Sequence, residues 1–438
     1  MDFIEALNTR MQDVASACVG CGKCFEVCPM KGPIGLSEAD PKEVLGGIVD
    51  LIRGGNGNEA AQRWAGACSS SGLCRDACDY GVDPLFLVKM ANYANVRRRD
   101  GDAVRKNGAS SFRTVAKSLR MVSRLQVDQN TVARLQPTLK PATEECKPDI
   151  AFYIGCNVGK TPHIVLLCVE ILQAMGLSCE ILGGSSACCG INQFRAGDGE
   201  TAGRAGLAAL SQIEAKQATT NLSWCPSCQL QFEEVILPAH RLMTGRDDAG
   251  LTPFFVFLER NLDKLRPLFK HDIRKRVAIN ERPGTPDVLR AVERLLSEIS
   301  GIELVHLDVP RAGLMSTYLN VTPKFKESLR AEEFEAAART GITTLATIFH
   351  GCHRELCKFE NDVSFEIVNV VEIIGESIGI RVEDTYKKLA LAASVDEALQ
   401  NSAPLLAEHG LNADEARDAL IADLLGAKVL QGAIQEIA

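Results

Sequence analysis

The sequence predicts a multidomain chain with a helical, cysteine-bearing module, then two repeated α/β units of which the second has lost most of its cysteines, and a helical tail. Three observations carry this. Two similar cysteine runs, "CVGCGKCFEVCPM" at 18–30 and "CSSSGLCRDACDY" at 68–80, flank a segment of helical period. A strand-then-helix pattern begins near residue 150, and its order is replayed from residue 276. A chain of 438 residues has room for two to four domains.

Composition narrows the class. A net charge of −8 argues against a general nucleic-acid binder, which needs a basic face for phosphates. The N-terminus "MDFIEALNTRMQDVASA" places acids and polar residues where a secretory signal needs an apolar core. No stretch approaches the roughly 18 consecutive apolar residues of a transmembrane helix. Seventeen cysteines in such a chain point to metal binding or redox work rather than a disulfide framework. The expected location is the cytoplasm, with any attachment to the inner membrane face made through partners.

In the first run, Cys18, Cys21 and Cys24 are followed by Cys28 and Pro29, the spacing of a bacterial-type iron–sulfur run. Three thiolates on a short turning loop reach three corners of one iron cube, and in two-cluster proteins the fourth cysteine serves the other cluster. A zinc site is the competing reading, although zinc more often uses two separated pairs. Laid on the first run, the second supplies Cys68, Ser71, Cys74 and Cys78, with Asp79 at the proline position. In a crossed arrangement cluster one takes Cys18, Cys21, Cys24 and Cys78 as a full 4Fe-4S set. Cluster two takes Cys28, Cys68 and Cys74, with Ser71 at its fourth corner. An alkoxide is a harder iron ligand than a thiolate, so the second site is expected to hold a 3Fe-4S cluster, a 4Fe-4S cluster with oxygen or exogenous ligation, or none.

Between the runs, "DPKEVLGGIVDLIRGG" reads as a helix with Val44, Leu45, Ile48, Leu51 and Ile52 on one face and Gly54-Gly55 at its end. Residues 96–126 carry nine Lys or Arg and two acids, a stretch read as a solvated helix face or a dock for an acidic partner. Residues 1–135 form the first domain, and the proline-rich 136–148 is a linker.

Beyond the linker "DIAFYIGC" reads as a strand, "HIVLLCVEILQAMGL" as a helix and "SCEILGG" as the next strand, followed by "ACCG" and "WCPSC". Cys156, Cys188, Cys189, Cys225 and Cys228 then fall after successive strands, where open α/β sheets bind ligands. This spacing, with Gly190 and Pro226, resembles the CCG domain found in heterodisulfide reductase and in the iron–sulfur subunits of glycolate oxidase and anaerobic glycerol-3-phosphate dehydrogenase. The resemblance covers residues 150 to about 385. It implies a noncubane 4Fe-4S cluster on those five cysteines, which would carry any catalysis. Residues 1–145 resemble the separate helical ferredoxin subunit of heterodisulfide reductase, apart from Ser71 and Asp79, so the chain resembles a fusion of the two. The implied fold is an N-terminal α-helical two-cluster ferredoxin module, then two α/β CCG domains at 149–265 and 266–385, then a tail at 386–438. Cys168 and Cys179 are expected to be core residues, and nothing is assigned to Cys146.

In the second copy Thr285-Pro286 falls on Thr161-Pro162, Glu281 on Cys156, Gly313 and Leu314 on the cysteine pair, and Phe349 and Cys352 on Cys225 and Cys228. One ligand of five survives, so a second noncubane cluster is not expected. His350, Cys352, His353 and Cys357 invite a zinc hypothesis, helped by Glu281, against a degenerate remnant. The tail reads as a helix capped by Asn412 over "ADEARDALIADLLGAKVLQGAIQEI". It is expected to pack on its own domain or on a partner.

No Gly-rich nucleotide loop opens a helix after a strand, and seven scattered histidines give no catalytic triad. Flavin and pyridine-nucleotide chemistry is therefore expected in partner subunits. The leading expectation is an iron–sulfur subunit of a heterodisulfide-reductase-like oxidoreductase complex, passing electrons between the ferredoxin-type clusters and a site acting on a disulfide, thiol or sulfur carrier. The alternative is a relay subunit of a flavoprotein dehydrogenase of the glycolate, lactate or glycerol-3-phosphate type that delivers electrons to quinone. A scaffold stapled by zinc is the non-redox reading.

Overall fold

The computed structural model describes residues 1–137, 141, 147–246 and 250–425. The helical N-terminal part begins with α1 (Phe3–Ala17), α2 (Lys23–Glu26), α3 (Pro41–Ile52), α4 (Glu59–Gly66) and α5 (Leu73–Asp76). It continues with α6 (Pro84–Asp100), α7 (Ala103–Arg124) and α8 (Gln129–Arg134). Caps set these boundaries. Asp2 and Glu5 form a capping box on α1, and Asp40 accepts the first N–H groups of α3 just before Pro41. The five apolar residues expected on one face of α3 are all buried, and the chain leaves it through Gly54.

Two parallel four-stranded sheets follow. The first unit runs β1 (Ile150–Tyr153), α9 (Pro162–Ala174), β2 (Cys179–Leu182), α10 (Ile191–Arg195), α11 (Gly199–Glu214), β3 (Thr220–Ser223), α12 (Pro226–Gln231), α13 (Leu237–Thr244) and β4 (Thr252–Pro253). Then come α14 (Phe254–Arg260) and α15 (Leu262–Leu265). The second unit runs β5 (Lys275–Asn280), α16 (Pro286–Ser297), β6 (Ile302–Leu304), α17 (Pro323–Thr340), β7 (Thr344–Thr347), α18 (His350–Leu356), β8 (Glu366–Asn369) and α19 (Val370–Ser377). The strand orders are β2-β1-β3-β4 and β6-β5-β7-β8, the same topology twice. Cys168 is fully buried on α9 and Cys179 half-buried on β2, as core residues.

The two units pack reciprocally. Helix α9 of the first lies against α19 of the second, and α14 of the first against α16 of the second. One apolar core runs through this joint, from Phe254, Phe255 and Leu258 to Val292, Leu295, Ile373 and Ile374. A second core joins the helical part to the first unit through Phe3, Leu7, Phe25 and Trp64 on one side and Tyr153, Phe232 and Ile236 on the other.

Helices α20 (Thr385–Ala390), α21 (Val395–Asn401), α22 (Ala403–His409) and α23 (Ala413–Leu420) complete the described chain. Asn412 caps α23 as expected. Ala416, Leu420 and Leu424 bury against Met121, Val122 and Leu125 at the end of α7 and against Tyr386 of α20. Within the described residues the tail therefore packs on its own chain. The rest of the expected tail helix, and most of the linker with Cys146, lie outside the described residues. Among the described residues no helix is long and apolar enough to cross a membrane.

Candidate metal centres

The two cysteine runs fold alike. Gly20 and Ser70 both take a left-handed φ, as do Gly22 and Gly72, each of which starts a one-turn helix, α2 or α5. A left-handed turn is cheap for glycine and uncommon for serine, so Ser70 adopts it against its own preference. Ser71 consequently occupies the backbone place of Cys21. Cys18, Cys21, Cys24 and Cys78 line one small cavity, closed by Leu45, Val82, Pro84 and Leu87. Burial, reinforced by Cys18 and Cys21, pushes the Cys24 thiol up to about 12. Cys28, Cys68 and Cys74 form a second group. Burial raises Cys68 to about 11, and it raises Cys74 with help from Cys68, Cys24 and Cys28. The Trp64 indole N–H donates to Cys28 Sγ at 3.2 Å. Apolar thiol nests such as these fit a cationic iron–sulfur core, which removes the cost of burying thiolates.

The two groups differ in surroundings. At the first, Val19 and Tyr80 are exposed. The second is covered by the second α/β unit: Ser69, Ser70 and Ser71 are buried, and the Leu314 N–H donates to the Ser69 carbonyl at 2.9 Å.

In the first α/β unit the turns after β1, β2 and β3 bring Cys156, Cys188, Cys189, Cys225 and Cys228 together at the carboxyl edge of the sheet. Sheet register places Tyr153 beside both Leu182 and Ser223, so the three following turns start level with one another. The thiols lie close enough to act on one another in a chain, Cys156 with Cys188, Cys188 with Cys189, Cys189 with Cys228 and Cys228 with Cys225. Hydrogen bonds to neighbouring thiols, then burial, drive Cys156, Cys189 and Cys228 well above the ordinary thiol range. Five crowded thiols cannot ionise together in water-poor surroundings unless a cation joins them. Gly155 shapes the nest. At its φ of +76°, an added Cβ would lie 2.9 Å from Cys225 Cβ and 3.0 Å from Cys228 Sγ. The Tyr153 hydroxyl donates to the Ala187 carbonyl at 2.7 Å and ties the first turn to the second.

A cleft of about 640 Å³ opens at Cys156. Arg113, Lys117, Arg120 and Arg124 of α7 line it, opposite Gly184, Ser185 and Ser186. The basic stretch noted in the sequence is thus half solvated face and half cleft wall.

The second unit is built differently at the same edge. Residues 281–285 between β5 and α16 make a shorter turn than 154–161 between β1 and α9, so Glu281 does not take the place of Cys156 as the alignment has it. Glu281 accepts from Arg311 Nε at 3.4 Å instead. Arg282 fills the corner. Its guanidinium is buried and donates to the Ala312 carbonyl at 3.1 Å, Asn280 Oδ1 at 3.0 Å and Ser316 Oγ at 2.7 Å, and it also meets Cys352. A fixed cation leaves no room for a cluster. Nor does the structure gather His350, Cys352, His353 and Cys357 around one point, in keeping with the degenerate remnant rather than the zinc hypothesis. His350 Nδ1 accepts from the Trp224 indole at 3.2 Å, His353 Nε2 meets Asp384 Oδ2 at 2.7 Å, and Cys357 is buried in the core beneath α20. Trp64, Arg282 and Tyr318 carry no sequence pattern that marks them, and only the fold brings them to these sites.

Comparison with known families agrees with this layout. Residues 17–83 match the 4Fe-4S dicluster domain family, and residues 150–233 match the CCG cysteine-rich domain family. The chain is an iron–sulfur electron-transfer protein. Its N-terminal ferredoxin-like module carries the first two cysteine groups, and the CCG domain spans all five cysteines of the third. No curated protein matches the chain.

Proposed function

We propose that this iron–sulfur protein is a heterodisulfide-reductase-like subunit, exchanging electrons between a redox partner and an anionic sulfur substrate held at the CCG domain. The observation that carries the proposal is the basic cleft opening at Cys156, which gives the third cysteine group an access route that a pure relay does not need. Cys18, Cys21, Cys24 and Cys78 would hold one 4Fe-4S cluster. Cys28, Cys68 and Cys74 would hold a second with Ser71 at its open corner, and Cys156, Cys188, Cys189, Cys225 and Cys228 a noncubane one. Bound clusters supply one-electron storage at potentials set by burial and by hydrogen bonds to sulfur.

The chain's own residues give the order of the sites. Val19 and Tyr80 form an apolar exposed rim beside the first group, suited to a partner flavoprotein or another component of the complex. Leu85, Leu230 and Leu314 pack between Cys68 and Cys74 and the third group, with Tyr318 beside them. The Tyr318 hydroxyl donates to Ser227 Oγ at 2.9 Å, next to Cys228, and Arg195 stacks on its ring. Tyr318 thus lies near cysteines of both the second group and the CCG edge, beside a cavity of about 210 Å³ that also reaches Cys68. At the far end Arg113, Lys117, Arg120 and Arg124 would bind carboxylate, phosphate or sulfonate groups of a sulfur carrier and orient its sulfur toward Cys156. The second α/β unit, read as a decayed copy of the first, buries the loop at 69–71.

The test is single-turnover reoxidation of the dithionite-reduced protein, followed optically under argon. An anionic disulfide should reoxidise it faster than a neutral one, and R113E/R120E should abolish that preference. Indifference to every disulfide, with normal iron content, would hand the function to the dehydrogenase relay.

A further inference from the structure

Away from the three cysteine groups, the joint between the two α/β units holds a compact set of metal-ligating side chains. His163 lies in the first turn of α9, His353 on α18, Glu372 in the first turn of α19, and Asp384 caps α20. One ligand atom from each lies within 4.8 Å of all the others. His353 Nε2 is 2.7 Å from Asp384 Oδ2, His163 Nδ1 is 3.3 Å from Asp384 Oδ1, and His163 Nε2 is 3.9 Å from Glu372 Oε2. Around a tetrahedral zinc with bonds of about 2.0 Å, neighbouring ligand atoms sit about 3.3 Å apart, so closure needs only small side-chain shifts.

The set is poorly satisfied as it stands. Both histidines are buried, with His163 1 % and His353 0 % exposed. Neither ring nitrogen of His163 makes a hydrogen bond, nor does His353 Nδ1, and all three are buried. A buried polar nitrogen without a partner costs roughly 1–3 kcal/mol, and three together at one point call for something to bind. Two carboxylates in the same dry place add negative charge. The neighbouring Lys387 does not offset it directly, because its ammonium donates to Glu360 Oε2 at 2.9 Å and to the Ile367 carbonyl at 3.1 Å. The carboxylates are already aimed: the Asn369 N–H donates to Glu372 Oε2 at 2.6 Å and the Lys387 N–H to Asp384 Oδ1 at 2.9 Å. Such outer hydrogen bonds orient metal ligands.

We propose that His163, His353, Glu372 and Asp384 form a closed structural site for a divalent transition metal, with zinc the best match to two imidazoles and two carboxylates. The site is independent of the iron–sulfur groups. It pins the N-terminal end of α9, in the unit that carries Cys156, to α18 and α19 of the second unit and to α20, and so fixes the joint between the two units.

The experiment uses the full-length protein with its clusters intact, purified anaerobically, incubated with zinc chloride, desalted over a chelating resin and assayed for zinc and iron together. The expected result is about one zinc per chain, with a zinc K-edge spectrum showing only nitrogen and oxygen near 2.0 Å. Retention of less than about 0.2 zinc per chain, or a shell containing sulfur near 2.3 Å, would overturn the site. H163Q/D384N should lose the bound zinc while keeping its iron; retention of the same zinc and shell would also overturn it. Should that variant fail to fold, the wild-type stoichiometry and spectrum decide alone.

Discussion

Glu234 offers the most direct test of how the ferredoxin-like module is held on the CCG domain. Its side chain is 4 % exposed and takes ion pairs from Arg75 and from Lys89, the latter at 2.5 Å, while Arg10 donates to its backbone carbonyl. All three basic residues belong to the helical part. Removing one partner of a buried pair typically costs about 3–5 kcal/mol, because the remaining charge is stranded. Here the cost falls at the low end. Arg75 keeps a two-pronged bond to Asp83, at 3.1 and 2.9 Å, and is partly solvated, so Lys89, 13 % exposed, is the residue left without its carboxylate. We expect E234A to weaken the joint by about 3 kcal/mol. Since about 1.4 kcal/mol is a factor of ten, amide-hydrogen protection in α6 and α13 should fall roughly a hundredfold where exchange proceeds through opening of this joint. Hydrogen-exchange mass spectrometry on iron-loaded protein reads this directly. E234M/K89M, which replaces the pair by apolar groups, should recover most of the loss. Protection within about threefold of wild type in E234A would refute the claim that this carboxylate holds the module in place.

Three further outcomes are expected. S71C puts a thiol at the backbone place that matches Cys21, so the second site should become an ordinary four-iron cubane; iron and sulfide assays with electron paramagnetic resonance check it, and unchanged iron and spectra would sink the crossed assignment. Wild-type protein should carry about 11–12 irons, and G155A, whose new methyl group meets Cys225 and Cys228, should lose about four of them and leave the ferredoxin-type signals intact. D423A removes the carboxylate that Ser118, Lys160 and Arg354 share, with Lys160 Nζ at 2.6 Å and Arg354 at 3.3 Å, so the tail should loosen by about 3 kcal/mol and become sensitive to limited proteolysis near α23.

The parts legible in the sequence were those where chemistry dictates spacing. Thiolates that must converge on one centre fix both the interval between cysteines and the turns that carry them, which is why the groups around Cys21 and Cys225 could be read directly. Periodicity exposed α3, α9 and α23 for a similar reason, since one face of each is buried. Residues that act across the fold left no such trace. Glu234 meets Lys89 and Arg75 only after two domains dock, and His163 meets His353 only because α9 packs on α19. The alignment of Glu281 with Cys156 failed on a turn of different length, which sequence similarity between neighbouring strands could not reveal. His350 and His353 are close in sequence, which invites a shared zinc, but they meet different partners, Trp224 and Asp384.

The second α/β unit repeats the strand order of the first but carries different chemistry at the same edge. Where the first unit gathers thiols, the second places the buried Arg282 guanidinium beside Cys352. Its charge is held in place, since Asn280, Ser316 and the Ala312 carbonyl accept from the guanidinium and the buried Glu333 carboxylate lies nearby, accepting from Asn280 at 2.8 and 2.7 Å. The loop at 69–71 rests on this edge, through Gly284 and Leu314, and Ser71 is buried there rather than exposed to solvent. The second unit thus serves as the wall that covers Ser69, Ser70 and Ser71 beside the second cysteine group.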